Sequence, residues 1–444
     1  MMLLEKCKFH KIRKECVENN RWHRECCTVT GVLFIVLMMM HIPLWDPFYC
    51  EDLLAPAILT LLVLEGNYRK YCKKSYLWLA LFLLWACAIS LIHICLDGWS
   101  NGYNFCVLVY LAGVFMFFRQ VGISVRCRFI IGGMFLAAAF VFWLSGVLFP
   151  HCSILSPNGF WYITENAKGS AMAFLSRRFQ FTFDNPNSLA SFYVLPMLLV
   201  LSALQEYFDE KGRTDSPSCP IEWKIGGVAI LLLTFLPLCH TYSKHAILSG
   251  ALFLVFVYNM MPVQWKRILR HSWILVIVIG LICEVTVLWS TFPLSFSSPY
   301  INTIPGGYTI HQKTYARMFL ESPAVMLTGR TMGDIKSAYP KYVEKDRAQK
   351  ILRQYNAEHL INGFCTFMDP HNEYLNLLTF YGLGVLLLIV AFFLCYICEN
   401  KGNFVLYFFI ALAFCCLWDD LLSKRWIWIA AAIIGNHQFR RQDK

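Results

Sequence analysis

Three short polar stretches hold the residue types that could do chemistry in this chain. Arg177 and Arg178 lead into Phe179-Gln180-Phe181-Thr182-Phe183-Asp184-Asn185-Pro186-Asn187. The second stretch is Tyr242-Ser243-Lys244-His245, and the third is Asp369-Pro370-His371-Asn372-Glu373-Tyr374-Leu375. Arginine offers charge-assisted hydrogen bonds to phosphate, lysine offers a point charge, and helix N-termini add oriented backbone N–H groups. A neutral histidine can take a proton from an attacking hydroxyl. Fixed cations and one imidazole at a membrane face are what a lipid-linked pyrophosphate and a nucleophilic sugar would require.

Each stretch reads as the mouth of a helix. Asn185 can cap a helix with Pro186 at its first position. The positive end of that helix then points at the same face as Arg177 and Arg178. Thr241 to Lys244 form a tight connection that holds Lys244 at the surface. Asp369 can cap a third helix with Pro370 first, which puts His371 in its first turn, where the dipole favours an uncharged, proton-accepting imidazole. Lys424 and Arg425 open a further helix on this face, with Asp419 and Asp420 as its cap. Arg177 and Arg178 also suit lipid headgroups, towards which long cationic side chains snorkel. His151, His311 and His359 read as structural or solvated, and the Tyr and Trp residues near span ends as an aromatic belt. No pair of carboxylates is spaced for glycoside hydrolysis, and no cysteine or histidine pattern implies a metal or other cofactor.

The elements that must position these groups are membrane spans. Of the 444 residues, 57% are hydrophobic and only 15% charged, against about 25% charged in a soluble domain. The apolar residues come in blocks near the roughly 20 residues that cross a bilayer. The reading is an all-α polytopic membrane protein with about twelve transmembrane helices: 28–45, 48–64, 76–96, 104–118, 129–149, 188–205, 225–240, 245–260, 272–290, 372–396, 403–418 and 421–435. The apolar run from Thr28 to Trp45 has no small-residue cleavage site after it and reads as a retained first span.

Charge sets the orientation. The segments 1–27, 65–75, 119–128, 206–224, 261–271, 397–402 and 436–444 hold 24 of the 39 Lys and Arg residues, and the short loops of the other side hold four. By the positive-inside rule both termini are cytoplasmic. A basic N-terminus (1–27) then leads to five helices (28–149), an extracytoplasmic loop (150–187), helices six to nine (188–290), a large extracytoplasmic loop (291–371), helices ten to twelve (372–435) and a tail (436–444). This placement accounts for the net charge of +11 without nucleic acid. Within the large loop, Lys336 to Phe364 reads as partly helical, with Val343, Ile351, Leu352 and Tyr355 as an apolar face for the membrane surface. Of nineteen cysteines, Cys50, Cys152 and Cys365 fall in outer loops, where a Cys152–Cys365 bridge is one option.

The motifs resemble those of the O-antigen ligase family of multi-spanning bacterial glycan transferases. Arg178 to Asn187 is similar to the family's arginine and Gly-Thr-Phe-x-Asn-Pro-Asn stretch, with Phe181 in place of the glycine. Ser243-Lys244 stands for its Ser-Arg, keeping the charge and losing the bidentate fork. His371-Asn372-Glu373-Tyr374-Leu375, followed by Gly382-Leu383-Gly384, stands for its His-Asn-x-x-Leu and glycine-containing span. The likeness covers roughly residues 175 to 435. It implies a bacterial cytoplasmic (inner) membrane and metal-independent transfer of a glycan from undecaprenyl pyrophosphate to an acceptor hydroxyl, on lipid A core or another glycan or protein. Arg178 and Lys244, with Arg177 beside them, would bind the pyrophosphate. His371 would activate the acceptor, and Asn185, Pro186, Asn187, Ser243 and Asn372 would support the motifs. An O-antigen or capsule polymerase shares the donor chemistry. A flippase or transporter is the reading from another class. Carriers place ionisable groups near mid-bilayer, where these spans carry little but Glu284.

Overall fold

The computed structural model describes residues 22–40, 43–45, 48–64, 73–99, 102–148, 186–211, 235–241, 243, 245–246, 248–250, 252–253, 307–354, 361–365, 370–400, 403–417 and 421–435. The described chain is helical apart from a hairpin of β1 (Pro43–Trp45) and β2 (Phe48–Tyr49). Five helices are long and apolar enough to cross a membrane: Trp22–Met40, Lys74–Asp97, Val125–Leu148, Ser188–Gln205 and Glu373–Glu399. In chain order we label α1 (Trp22–Met40), α2 (Ala55–Leu64), α3 (Lys74–Asp97), α4 (Gly102–Phe118) and α5 (Val125–Leu148). Next come α6 (Pro186–Phe192) and α7 (Val194–Lys211), which the hydropathy reads as one span. Most of spans seven and eight, all of span nine and most of the loop 150–187 lie outside the described residues.

The expected second span, 48–64, takes a different form. Its first residues complete the hairpin and a 3₁₀ turn (Cys50–Leu54), which leaves ten residues for α2. At 1.5 Å per residue α2 is about 15 Å long, half a hydrocarbon core. The break between α6 and α7 has a simple cause. Pro196 has no N–H to offer the carbonyl four residues back, so the ladder is interrupted near Tyr193. Its cost is offset by burial, since 94% of the 188–205 window is enclosed by other helices. Gly132 of α5 lets this helix close in, because a Cβ there would stand 2.7 Å from the Pro196 carbonyl oxygen.

Around this centre, α4 brings Phe115 against Phe392 at 5.6 Å and Trp428 at 6.0 Å. These rings belong to α13 (Glu373–Glu399) and α15 (Arg425–Ile434); α14 (Asn403–Cys415) lies between them in sequence. The outward faces of α3, α5 and α13 stay apolar, with Leu84, Leu91, Met134, Leu387 and Leu394 exposed. Helices that are apolar on all sides belong in lipid.

A second layer of short helices caps one end: α8 (Gly307–Phe319), α9 (Pro323–Thr328), α10 (Met332–Tyr342), α11 (Lys345–Gln354) and α12 (Ile361–Phe364). Ser322 and Thr331 cap α9 and α10 with their hydroxyls. The partly helical reading of 336–364 holds for 336–342, 345–354 and 361–364, while Tyr355 lies outside the described residues. Val343 and Leu352, expected at the membrane surface, instead enter a core of this layer's own with Ile310, Tyr315, Ile335 and Tyr339.

The layer docks on a kink in α13. Gly382 has φ 76°, and a Cβ there would lie 2.1 Å from the Leu327 carbonyl oxygen. Gly329, at φ 71°, meets the Phe380 backbone in the same way, and Arg330 N–H donates to the Thr379 carbonyl at 2.7 Å. Only glycine combines this backbone with this proximity. Beneath its own surface, Arg330 donates to Asp334 at 2.5 Å and to the Met318 carbonyl at 3.2 Å, and pairs with Glu321.

Candidate functional site

At the end capped by the second layer, α13 begins later than the cap pattern implies. Asn372 is its N-cap, with its side chain accepting from Leu375 N–H at 3.0 Å. His371 therefore precedes the cap instead of entering the first turn. Its backbone is left-handed at φ 45°, a region that histidine tolerates better than most residues. Asp369 lies outside the described residues.

Two bonds tie this corner to α14. Asn372 Nδ2 donates to the Leu417 carbonyl at 3.0 Å, and Glu373 N–H donates to the Cys416 carbonyl at 2.9 Å. The Glu373 carboxylate, buried, accepts from Leu422 N–H at 3.1 Å. The sequence reading gave Glu373 no role; here it fastens the entrance of α15 to that of α13. Gln312 of α8 donates to the same Leu417 carbonyl at 3.2 Å. The second layer and the start of α13 therefore meet beside His371.

The neighbour that sequence read only as structural or solvated is His311. It is buried, and its Nδ1 is hydrogen-bonded to the hydroxyl of Tyr339, which is itself fully buried. Burial, and then the charge that His371 can carry, push His311 down to about 4. Burial, with Cys365 nearby, pushes the Tyr339 phenol up. Near neutral pH this pair is therefore a neutral imidazole and a protonated phenol. Cys365 is half-buried, and burial raises its thiol; Cys152 lies outside the described residues.

The other sequence motifs reach the same end of the bundle. The helix α6 starts at Pro186, as its cap pattern implies, with Asn187 second. Ser191 of α6 accepts from the Trp426 indole at 3.2 Å, which sets this start beside that of α15. Ser243 contacts His245, Oγ to Nδ1 at 3.1 Å, and His245 is buried. Close by in sequence, His240 Nδ1 accepts from the Trp143 indole near the end of α5 at 2.9 Å. Arg128 and Ser202, 2.9 Å apart, and Phe135 against Phe192 show that α5 runs antiparallel to α6 and α7, so its end lies near Pro186. Arg177, Arg178, Asn185, Lys244, Asp419 and Asp420 lie outside the described residues.

Arg425 has a structural partner set at this end. It meets Asp52 at 2.5 Å and Glu51 at 3.7 Å, with its guanidinium over the Tyr49 ring. Tyr110 donates to the other Asp52 oxygen at 2.8 Å. These two carboxylates face a half-buried cation and clamp the hairpin to α15. A cleft of about 460 Å³ separates the end of α3 from α9 and α10, lined by His93, Asp97, Arg330, Asp334 and Ser337. Asp97 accepts from Gly333 N–H at 2.8 Å, capping α10 across that cleft. Among the described residues no group of three His, Cys, Asp or Glu side chains could hold a metal ion.

No family model matches the chain, and no curated protein matches it.

Proposed function

We propose that this chain is a twelve-span glycan transferase of the O-antigen ligase type, acting at the outer face of a bacterial cytoplasmic membrane with both termini inside. Its donor is an undecaprenyl-pyrophosphate-linked glycan and its acceptor a hydroxyl of lipid A core or a similar glycan. Arg178 and Lys244, with Arg177, hold the pyrophosphate. His371 takes the proton of the acceptor hydroxyl, whose oxygen attacks the anomeric carbon. The bond from that carbon to the pyrophosphate breaks, and the electron pair leaves with the diphosphate. Fixed cations stabilise this developing charge, the term that usually dominates such catalysis.

The observation that carries the reading is the gathering of the motif-bearing segments at one end. The start of α6, His240 and the approach to α13 all lie there. The left-handed backbone at His371 supports it too, since such strain concentrates at functional sites. Enzyme is favoured over carrier because the buried charges of the described residues, Glu51, Arg128, Arg330 and Glu373, sit at or beside helix ends and not at mid-depth. The test is purified protein in vesicles with a polyprenyl-diphosphate glycan and an acceptor. Wild type should release polyprenyl diphosphate and extend the acceptor, while His371→Ala should do neither. Equal turnover by His371→Ala would refute the assignment. In cells, single repeats on the lipid core after deletion would point to a polymerase, and whole chains stranded on the carrier to a ligase.

A further inference from the structure

Behind His371 stands a buried polar pair that the proposed reaction has not used. Packing alone does not require an imidazole on α8 bonded to a phenol on α10, in a core that also holds Ile310, Tyr315, Met318, Ile335 and Val343. The two rings lie nearly parallel, 6.1 Å between centres and 27° between planes. Leu417 ties α8 to the start of α13 through Gln312 and Asn372, so the pair and His371 keep a fixed relation.

We infer that His311 and Tyr339 are positioning residues for His371, an imidazole–phenol support that sets the orientation of the proton-accepting ring. This rests on the glycan-transfer reading. When the acceptor O–H gives its proton to His371, that ring becomes an imidazolium. A charged neighbour would oppose this step, whereas a neutral imidazole bonded to a tyrosine hydroxyl does not. Burial, and then the charge that His371 takes on, favour the neutral form of His311 that this role requires. Such a support acts by geometry, where a displacement of about 1 Å can cost on the order of 100-fold in rate.

The experiment compares His311→Gln, His311→Phe and Tyr339→Phe in the vesicle assay, with His371→Ala alongside. Glutamine keeps polar contacts and loses ring volume; phenylalanine keeps volume and loses polarity. A positioning role predicts that His311→Phe lowers kcat on the order of 100-fold with donor KM unchanged, that His311→Gln retains much of it, and that Tyr339→Phe falls between them. A packing role predicts the reverse order, with losses that follow the melting temperature. Full turnover in His311→Phe, or that reverse order, overturns the inference. Tyr339→Phe, which removes one oxygen atom, decides the matter if both His311 variants fail to fold: full turnover there also overturns it. Full turnover in His371→Ala would instead sink the underlying reading.

Discussion

The two ends of the helix bundle use polar residues in opposite ways. At one end Glu399 accepts from both the backbone and the hydroxyl of Ser75, closing the C-terminus of α13 on the N-terminus of α3. Beside it Arg119 donates to Asn400 at 3.3 Å and lies over the Tyr396 ring, and Tyr396 donates to the Ala431 carbonyl at 2.8 Å. These contacts staple four helix ends together. They are the ends of spans three, four, ten and twelve that the charge pattern groups on one side. At the other end the same helices open onto a second layer, a left-handed histidine and a buried His–Tyr pair. Stapling groups are consumed by one another, whereas a reactive group must keep an approach from outside. His371 stays half-buried while the groups around it are buried.

Substitutions can break this contrast, and the largest effect falls at the second end. The variant His371→Ala should lose transfer by about 10²- to 10⁴-fold with little change in melting temperature, as read by turnover and by a melt in detergent. Arg425→Met should cost up to about 3 kcal/mol of stability, because it strands buried Glu51 and half-buried Asp52; a denaturation midpoint reads this. Gly382→Ala forces a Cβ into the Leu327 carbonyl and should cost roughly 1–3 kcal/mol, exposing α9 to protease before the rest of the chain. At the stapled end, Glu399→Gln should cost about 1 kcal/mol and leave turnover unchanged. A loss of turnover there without a loss of stability would erase the distinction between the ends.

Acidity sharpens the contrast further. The pKa of His311 is lower in the folded chain than in the unfolded one, so between the ordinary value of 6.5 and about 4 the unfolded state binds the extra proton. The second layer should therefore lose stability as pH falls through that window. Amide exchange of α8 and α10 should quicken over it.

Long apolar blocks announced α3, α5 and α13, since few other structures use more than 20 such residues. The hairpin at 43–49 was hidden inside them. Hydropathy does not register that Pro43 and Pro47 deny the backbone its helical bonds. At the site, Asp369-Pro370 and Asn372 both fit a helix cap, and sequence offered no means to choose between them. The side-chain bonds of Asn372 to Leu375 and Leu417 make the choice in three dimensions. His311 was passed over for a related reason. It lies 28 residues from Tyr339 and 60 from His371, distances that no local period relates. Only the packing of α8 between α10 and α13 brings them together.

The most direct measurement is a cryo-EM map of the chain in lipid with a polyprenyl-diphosphate glycan bound. The account predicts diphosphate density between the Arg178 guanidinium and the Lys244 ammonium, with the His371 imidazole facing the first sugar. Diphosphate held elsewhere, or either cation turned to the opposite face from His371, would contradict it.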